Sequence, residues 1–326
     1  MKRAIVFGGA GFIGSHLVDR LKGEGYWVRA VDRRPRRLEP QTLFEPNEFL
    51  LGDLREPAFV RRALEPEGFD ELYQLAADMG GAGYIFTGSN DARIVHDSAL
   101  VNLHTAEAAW TRGVQKLFFS SSACVYPARN QADPAAPRCQ EDSVYPAEPD
   151  SEYGWEKLFA ERIYQAYARN RCIDVRIARL HNVFGPGNAF EGGREKAPAA
   201  LCRKVAEAPD GGEVEIWGDG EQTRSFLYID DAVDGIRALM GSSCTGPVNI
   251  GSERMIAIVD LARQLVAYSG KRLKLRPVPG PVGVRGRVSD NTLMRAATGW
   301  EPRVSLERGL LETYRWVSGC IGTRQE

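Results

Sequence analysis

The 326 residues, 43% hydrophobic and 26% charged, suffice for a well-buried core and set a prior of about two domains, which excludes a disordered or collagen-like chain. Lys and Arg total 42 against 43 Asp and Glu, a net charge of −1, so no basic excess exists to hold a polyanion and nucleic acid is excluded as the main partner. No apolar run approaches the ~20 residues that span a bilayer, and Met1 leads straight into Ala4-Ile5-Val6-Phe7 without a signal-peptide pattern, so a cytoplasmic protein with no membrane partner is expected.

Apolar runs at 3–8, 27–32, 48–52, 71–76, 116–121 and 174–180 read as strands, and the amphipathic stretches between them as helices, the pattern of a parallel sheet covered on both faces. After the first strand, Ile13, Leu17, Val18 and Leu21 recur at helical spacing, and Gly23 and Gly25 close that helix. Helices are expected at about 91–112 and 153–169, long enough to pair between subunits, so a homodimer is expected. From about 183 the pattern loosens into Gly/Pro-rich loops, the mark of a smaller C-terminal lobe. The strand-like Arg224 to Ile229 and a helix from Asp231 to Met240 return to the first unit. The division is therefore discontinuous: 1–182 with a return segment at about 224–250, and 183–326 as the main part of the second lobe.

Gly8-Gly9-Ala10-Gly11-Phe12-Ile13-Gly14 lies between the first strand and the first helix. There Gly8 permits a tight turn, Gly11 lets the backbone approach a pyrophosphate, Gly14 allows close packing, and the helix start at Phe12 and Ile13 faces the anion. Asp32 ends the next strand, where a carboxylate accepts from the adenosine ribose hydroxyls and repels a 2′-phosphate, so NAD is the expected cofactor. Arg33 and Arg34 follow at once and could clamp such a phosphate, which leaves NADP open. Asp53-Leu54 reads either as an adenine contact or, through Asp53, as a helix cap. The fold class is thus α/β, a Rossmann-type doubly wound parallel sheet with a smaller C-terminal substrate-binding lobe.

Tyr153 and Lys157, four residues apart, share one helix face. A phenol of pKa ~10 must fall about three units, or ~4 kcal/mol, to act as a base near neutrality. One positive charge ~4 Å away at an effective dielectric of ~20 supplies about that much. Ser120-Ser121-Ser122-Ala123-Cys124 directly follows the apolar Leu117-Phe118-Phe119, at the strand end where α/β ligands bind, and a serine there can orient the reacting hydroxyl. No metal is expected, since the histidines at 16, 96, 104 and 181 form no ligand pair and the six cysteines show no C-x-x-C spacing.

With these motifs the chain resembles the extended short-chain dehydrogenase/reductase, or NAD-dependent epimerase/dehydratase, family. Within it, Leu75 to Gly81, Ser121 to Pro127, Gly192-Gly193-Arg194-Glu195-Lys196-Ala197-Pro198, Trp217 to Phe226 and Gly283 to Arg287 resemble the GDP-mannose 3,5-epimerases, over about residues 3–316. The resemblance implies oxidation at C4 of a nucleotide sugar, which acidifies the C–H bonds at C3 and C5. GDP-mannose would then give GDP-L-galactose or GDP-L-gulose, with NAD reduced and reoxidised in each cycle. It also implies Cys124 and Lys196 as base and acid on opposite ring faces. By residue spacing alone, Cys124 reads as a small buried residue and Lys196 as a solvated loop lysine; the resemblance reverses both readings. The resemblance further implies substrate contacts at Gly80, Ser122, Ala123, Cys124, Asn182, Glu195, Lys196, Ala197, Lys204, Gln222, Arg224, Ser225 and Arg287, with the two arginines suited to a diphosphate. Competing readings are a sugar-nucleotide 4-epimerase or 4,6-dehydratase and, in a different class, a non-catalytic NAD sensor.

Overall fold

In the first strand, β1 (Arg3–Phe7), alternate side chains go to opposite faces, and every one from Ala4 to Phe7 is buried. This is the central strand of a sheet seen in a computed structural model, which describes residues 1–35 and 44–323. The chain continues as α1 (Phe12–Gly23), β2 (Trp27–Asp32), β3 (Glu48–Leu51), α2 (Pro57–Ala63) and β4 (Glu71–Gln74). A short α3 (Ala82–Ile85) precedes α4 (Asp91–Thr111), β5 (Lys116–Ser122), α5 (Glu152–Arg171) and β6 (Asp174–Leu180). The second half runs β7 (Val183–Phe184), α6 (Ala197–Glu207), β8 (Glu213–Trp217), β9 (Thr223–Ser225), β10 (Leu227–Tyr228), α7 (Ile229–Gly241) and β11 (Val248–Ile250). It ends with β12 (Met255–Ala257), α8 (Ile258–Ser269), β13 (Lys274–Val278), β14 (Gly286–Arg287), α9 (Thr292–Thr298) and α10 (Leu306–Gly322).

Seven parallel strands form the main sheet in the order β11-β6-β5-β4-β1-β2-β3. Ala4 and Val6 pack with Leu17, Val18 and Leu21 of α1 and Ile236 and Leu239 of α7. Ile5 and Phe7 pack on the other face with α2, α4 and α5 through Val60, Val101 and Ile163. The chain leaves β1 toward β2 on one side and reaches β4 on the other, so a crevice opens beyond the carboxyl ends of β1 and β4, where such sheets bind ligands.

Two expected boundaries move for side-chain reasons. β4 stops at Gln74 because its amide bonds both the N–H and the carbonyl of Ala76, at 3.2 and 3.0 Å, taking the place of a ladder partner. The strand expected over 224–229 is broken: β9 joins β12 and β14 in a small sheet, whereas β10 pairs with β7. The helix after it begins at Ile229, not Asp231. Asp231 is instead a tertiary anchor, accepting from the N–H groups of Arg303 and Val304 at 3.0 and 2.8 Å. Among the described residues no helix is long and apolar enough to cross a membrane.

Candidate active site

The glycine loop makes the first wall. Gly8 has φ +83°, and a Cβ on Gly14 would lie 2.0 Å from the Gly8 carbonyl, so the helix start folds back on its own loop rather than on the sheet. α1 begins with no side-chain cap and no acidic residue in its first turn, leaving the N–H groups of Phe12 and Ile13 open to an anion. Asp32 accepts from Ala10 N at 3.1 Å and Arg34 N at 3.0 Å. Gly8, Gly11, Phe12, Ile13, Gly14, Asp32, Asp53 and Leu54 all line one cavity of about 960 Å³. Ser122, Tyr153, Lys157, Asn182 and Lys196 line the same cavity. An uncapped helix N-terminus at the glycine loop, a carboxylate at the end of β2 and a cavity of this volume fit a dinucleotide.

Asp53 does not cap the next helix. α2 starts after Glu56 with Pro57 in its first turn, and the Asp53 carboxylate instead takes both Nε contacts of Arg55 at 3.0 Å. Arg55 extends to Asp97 of α4 at 2.9 Å, and its bond to Asp53 holds that carboxyl below the usual range.

Ser122 ends β5, and its Oγ accepts from Cys124 N at 3.2 Å, which turns the chain so that Cys124 faces α5. Ser151 caps α5, accepting from Gly154 N at 3.3 Å, and so sets Tyr153 in the first helical turn. Tyr153 and Cys124 pack in one apolar cluster with Tyr84, Ile85 and Ile94. Lys157 donates to the Ser120 carbonyl at 2.9 Å and stands 5.7 Å from the centre of the Tyr153 ring. The expected lowering of the phenol by this lysine is therefore not met by the protein alone. Burial pushes Tyr153 up, with Cys124 and Glu156 adding to the rise, while Ser122 and Arg287 oppose it. Burial likewise pushes Lys157 down, against the pull of Glu156.

The substrate positions divide into three groups. Arg287, buried on β14, spends its donors inside the protein: Nε to Gln131 at 2.5 Å, Nη1 to Cys124 Sγ at 3.1 Å and Nη2 to Asp150 at 2.9 Å. Burial opposes its charge, yet Cys124 and Asp150 outweigh that and raise its pKa. Among the described residues Arg224 donates to the carbonyls of Thr223 and Val282 alone, at 2.8 and 3.0 Å, and burial beside Arg287 pushes its pKa down to about 10. Arg224 is thus short of negative charge, whereas Arg287 has Asp150.

The second group surrounds Lys196, the residue that precedes α6 and its Ala197-Pro198 start. Burial lowers the Lys196 pKa while Cys124 pulls it upward, and its ammonium makes no hydrogen bond or ion pair among the described residues. Glu195 Oε2 and Gln222 Oε1 are buried without a hydrogen-bond partner, and Lys204 donates to the Glu215 carbonyl at 3.0 Å with its pKa lowered by burial. The third group makes its contacts within the protein. Ala123 packs with Val125 and Tyr126, Gly80 abuts Tyr84, and the Ser225 hydroxyl accepts from Ser289 N at 3.3 Å. Asn182, at φ +39°, reaches the Ser225 carbonyl at 2.9 Å.

Sequence reasoning missed Gln131 and Asp150, which hold Arg287, and Asp78, Tyr84 and Arg93, which gather around Arg194. Asp78 and Arg194 both lie inside motif blocks already singled out, so the signal was a complementary charge in each of two blocks.

Residues 4–251 match the family model described as the NAD dependent epimerase/dehydratase family. A GDP-mannose 3,5-epimerase of Arabidopsis thaliana is 41% identical over 97% of this chain and 82% of its own length, and GDP-mannose 3,5-epimerase 1 of Oryza sativa subsp. japonica is 41% identical over 98% and 82%. Among solved structures, a UDP-glucose 4-epimerase of Thermotoga maritima with UDP-glucose superposes with TM-score 0.86 at 28% identity, covering 98% of this chain and 99% of that one. MoeE5 in complex with UDP-glucose and NAD gives TM-score 0.79 at 26% identity, with 98% and 99% covered. The chain belongs to the NAD dependent epimerase/dehydratase family and is an NAD-dependent enzyme of nucleotide-sugar epimerisation.

Proposed function

We propose that this enzyme converts GDP-mannose to its 3,5-epimer, GDP-L-galactose, or its 5-epimer, GDP-L-gulose, through a 4-keto sugar. NAD, which the glycine loop, the start of α1 and Asp32 would hold, would supply a hydride acceptor and donor for C4. Tyr153 removes the proton of the C4 hydroxyl, which Ser122 orients, and Lys157 supplies positive charge beneath. Once C4 is a ketone, a carbanion at C3 or C5 delocalises into it; Cys124 removes the proton from one face and Lys196 delivers one to the other. The observation that carries this reading is the Arg287 guanidinium 3.1 Å from Cys124 Sγ, a cation held against a thiol that packs on Tyr153. A 4-epimerase has no use for that arrangement.

Arg224, short of an anion, fits the diphosphate, and the buried free acceptors of Glu195 and Gln222 fit a base or sugar rich in donors. We assign the nucleotide sugar mainly to residues 183–326 and NAD to 1–182. Exposed Trp155 and Phe159 on α5 and Leu103 on α4 support a homodimer through that helix pair, which sedimentation of Phe159→Glu against the parent would test. A reduced thiol at Cys124 agrees with a cytoplasmic location.

The test is reaction with GDP-mannose in heavy water, followed by NMR of the product. Solvent deuterium at C3 and C5 with the original hydrogen kept at C4 is expected. A product inverted only at C4, or a 4-keto-6-deoxy sugar, would assign the protein to the alternative reactions, and turnover of UDP-glucose in preference to GDP-mannose would overturn the base assignment.

A further inference from the structure

Asp78 follows β4 by four residues, and its carboxylate is almost wholly buried, yet arginines from three separate segments converge on it. Arg194 Nη1 donates to Oδ1 at 2.7 Å, Arg93 Nε to Oδ2 at 3.0 Å, and Arg33 comes within 3.8 Å. The Tyr84 hydroxyl donates to Oδ2 at 2.9 Å. Arg194 also reaches the Met79 carbonyl at 2.9 Å and the Tyr84 oxygen at 2.8 Å, with its guanidinium 4.0 Å over the Tyr84 ring. Burial works against the ionised carboxylate, but Arg194 and Tyr84 prevail and keep its pKa below the ordinary value.

The backbone closes the same contact. Gly81 N donates to the Arg194 carbonyl at 3.0 Å, and a Cβ on Gly81 would lie 2.0 Å from the Glu195 carbonyl, so the two segments touch main chain to main chain. The segment is tied at its other end too: the Phe190 carbonyl accepts from Arg203 Nε at 2.8 Å, and the Phe190 ring meets Trp316 edge-on at 5.4 Å. Between the two ties, Glu191 to Gly193 are exposed to solvent. Residues 187–192, Arg194 and Lys196 line the same cavity as the glycine loop, so this stretch runs along the volume that fits the dinucleotide.

We propose that the Asp78–Arg194 pair is a latch that fastens residues 189–196 over the cofactor cavity, retaining NAD through successive turnovers and holding Lys196 at the sugar. The part that concerns Lys196 rests on the epimerase reading above; the part that concerns NAD does not. The logic is chemical. A cofactor that gives back in each cycle the hydrogen it took has no need to leave, unlike one consumed by a net oxidation. This pair is suited to holding it, because separating the partners takes from a buried carboxylate its shortest charged hydrogen bond and from Arg194 its contacts to Met79 and Tyr84, so the open state is rarely visited. Arg194 touches neither reacting atom in this scheme, so it is a positioning residue that acts through Lys196, two residues on.

The test uses the full-length protein loaded with radiolabelled NAD, with label release followed in excess unlabelled NAD. Asp78→Asn and Arg194→Met are expected to release label at least about tenfold faster than the parent, and Arg194→Lys, which keeps the charge but loses the fork, to fall between. With GDP-mannose in heavy water, deuterium uptake at the carbon reprotonated by Lys196 should drop about tenfold, whereas transient NADH formation, read by its absorbance in a single turnover, changes less than about threefold. A general loss of structure would slow both alike. Release of label from Asp78→Asn and Arg194→Met at the parent rate overturns the latch. If Arg194→Met does not fold, the release rate of Arg194→Lys decides. If the parent itself takes up no solvent deuterium, the epimerase reading falls while label release still judges the latch.

Discussion

Around the cofactor cavity each functional side chain is delivered by the end of a parallel strand or by the helix turn next to it: the glycine loop by β1 and α1, Asp32 by β2, Ser122 by β5, Tyr153 and Lys157 by α5. Around the Cys124 thiol the groups come from remote points in the chain, Arg287 and Asp150 being 137 residues apart and Arg287 and Cys124 163. The electrostatics differ as well. The cofactor half is left incomplete, with an uncapped α1 and with Tyr153 and Lys157 both driven toward neutrality by burial. In the substrate half the protein has satisfied Arg287 through Gln131, Cys124 and Asp150, and Arg194 through Asp78 and Tyr84, but leaves Arg224, Lys196 and the buried acceptors of Glu195 and Gln222 without such partners. The cofactor half is open at its helix start; in the substrate half the surroundings of the thiol are already fixed by hydrogen bonds, and the groups without partners stand apart from it.

The most severe way to break this contrast is Tyr153→Phe, which removes the hydroxyl from the half that depends on NAD and leaves the ring in place. Turnover should fall by roughly 10³-fold while NAD binding is kept, measured by product NMR and by equilibrium binding. Product at the parent rate would remove Tyr153 from the oxidation step. Cys124→Ala tests the other half: solvent deuterium uptake at C3 and C5 should drop about 10²-fold, with oxidation at C4 preserved. If the thiol is only a small buried residue, the variant loses some stability and exchanges normally.

Arg287→Lys and Arg224→Met sharpen the division within the substrate half. If Arg287 serves the thiol, its loss lowers kcat about tenfold with little change in KM, whereas losing Arg224 raises KM for the nucleotide sugar by a similar factor. A rise in KM from Arg287→Lys would move that arginine to the diphosphate. In the cofactor half, Asp32→Ala should narrow the preference for NAD over NADP by about tenfold, because the ribose hydroxyls lose their acceptor while Arg33 and Arg34 remain. An unchanged ratio of kcat/KM values would take Asp32 out of cofactor choice.

The same contrast explains what could be read from the amino-acid order. Apolar runs and 3.6-residue spacing are local, so the strands and long helices fall within a few residues of their expected limits, and the glycine loop, Asp32 and Ser122 follow from strand ends. What escaped depends on contacts across the fold. Gln74 shortens its strand by bonding Ala76, Asp231 anchors a loop 72 residues away, and Asp53 turns to Arg55 instead of capping a helix. The i,i+4 spacing of Tyr153 and Lys157 correctly gave a shared face but not the ammonium's direction, which the Ser120 carbonyl sets. Cys124 and Lys196 carried no local signature of chemistry; only the family resemblance drew attention to them.

The smallest effect concerns the seam between the halves, where His181 ends the β6 side of the cavity next to Asn182. Its Nε2 lies 2.9 Å from Asn249 Oδ1 of β11, and burial pushes its pKa down to about 3, with Arg287 and Arg179 adding to the fall against the Asn249 bond. Unfolded, this histidine takes a proton near pH ~6.5. Below that pH the unfolded chain therefore binds more protons than the native one, and stability falls as pH drops toward 3, by about 1.4 kcal/mol per unit. Glu141, Glu156 and Asp230, all held above their ordinary values by burial, work in the opposite sense as they protonate. Asp53 and Asp78, held low, lose their contribution only below about pH 4. The difference between parent and His181→Gln isolates the histidine, since the carboxylates are common to both. Denaturant unfolding from pH 7 to 4.5 should show the parent losing stability relative to the variant by about 1.4 kcal/mol per unit once below ~6.5. Parallel curves for the two proteins would mean that His181 is protonated in the folded state, and that the seam is open to water.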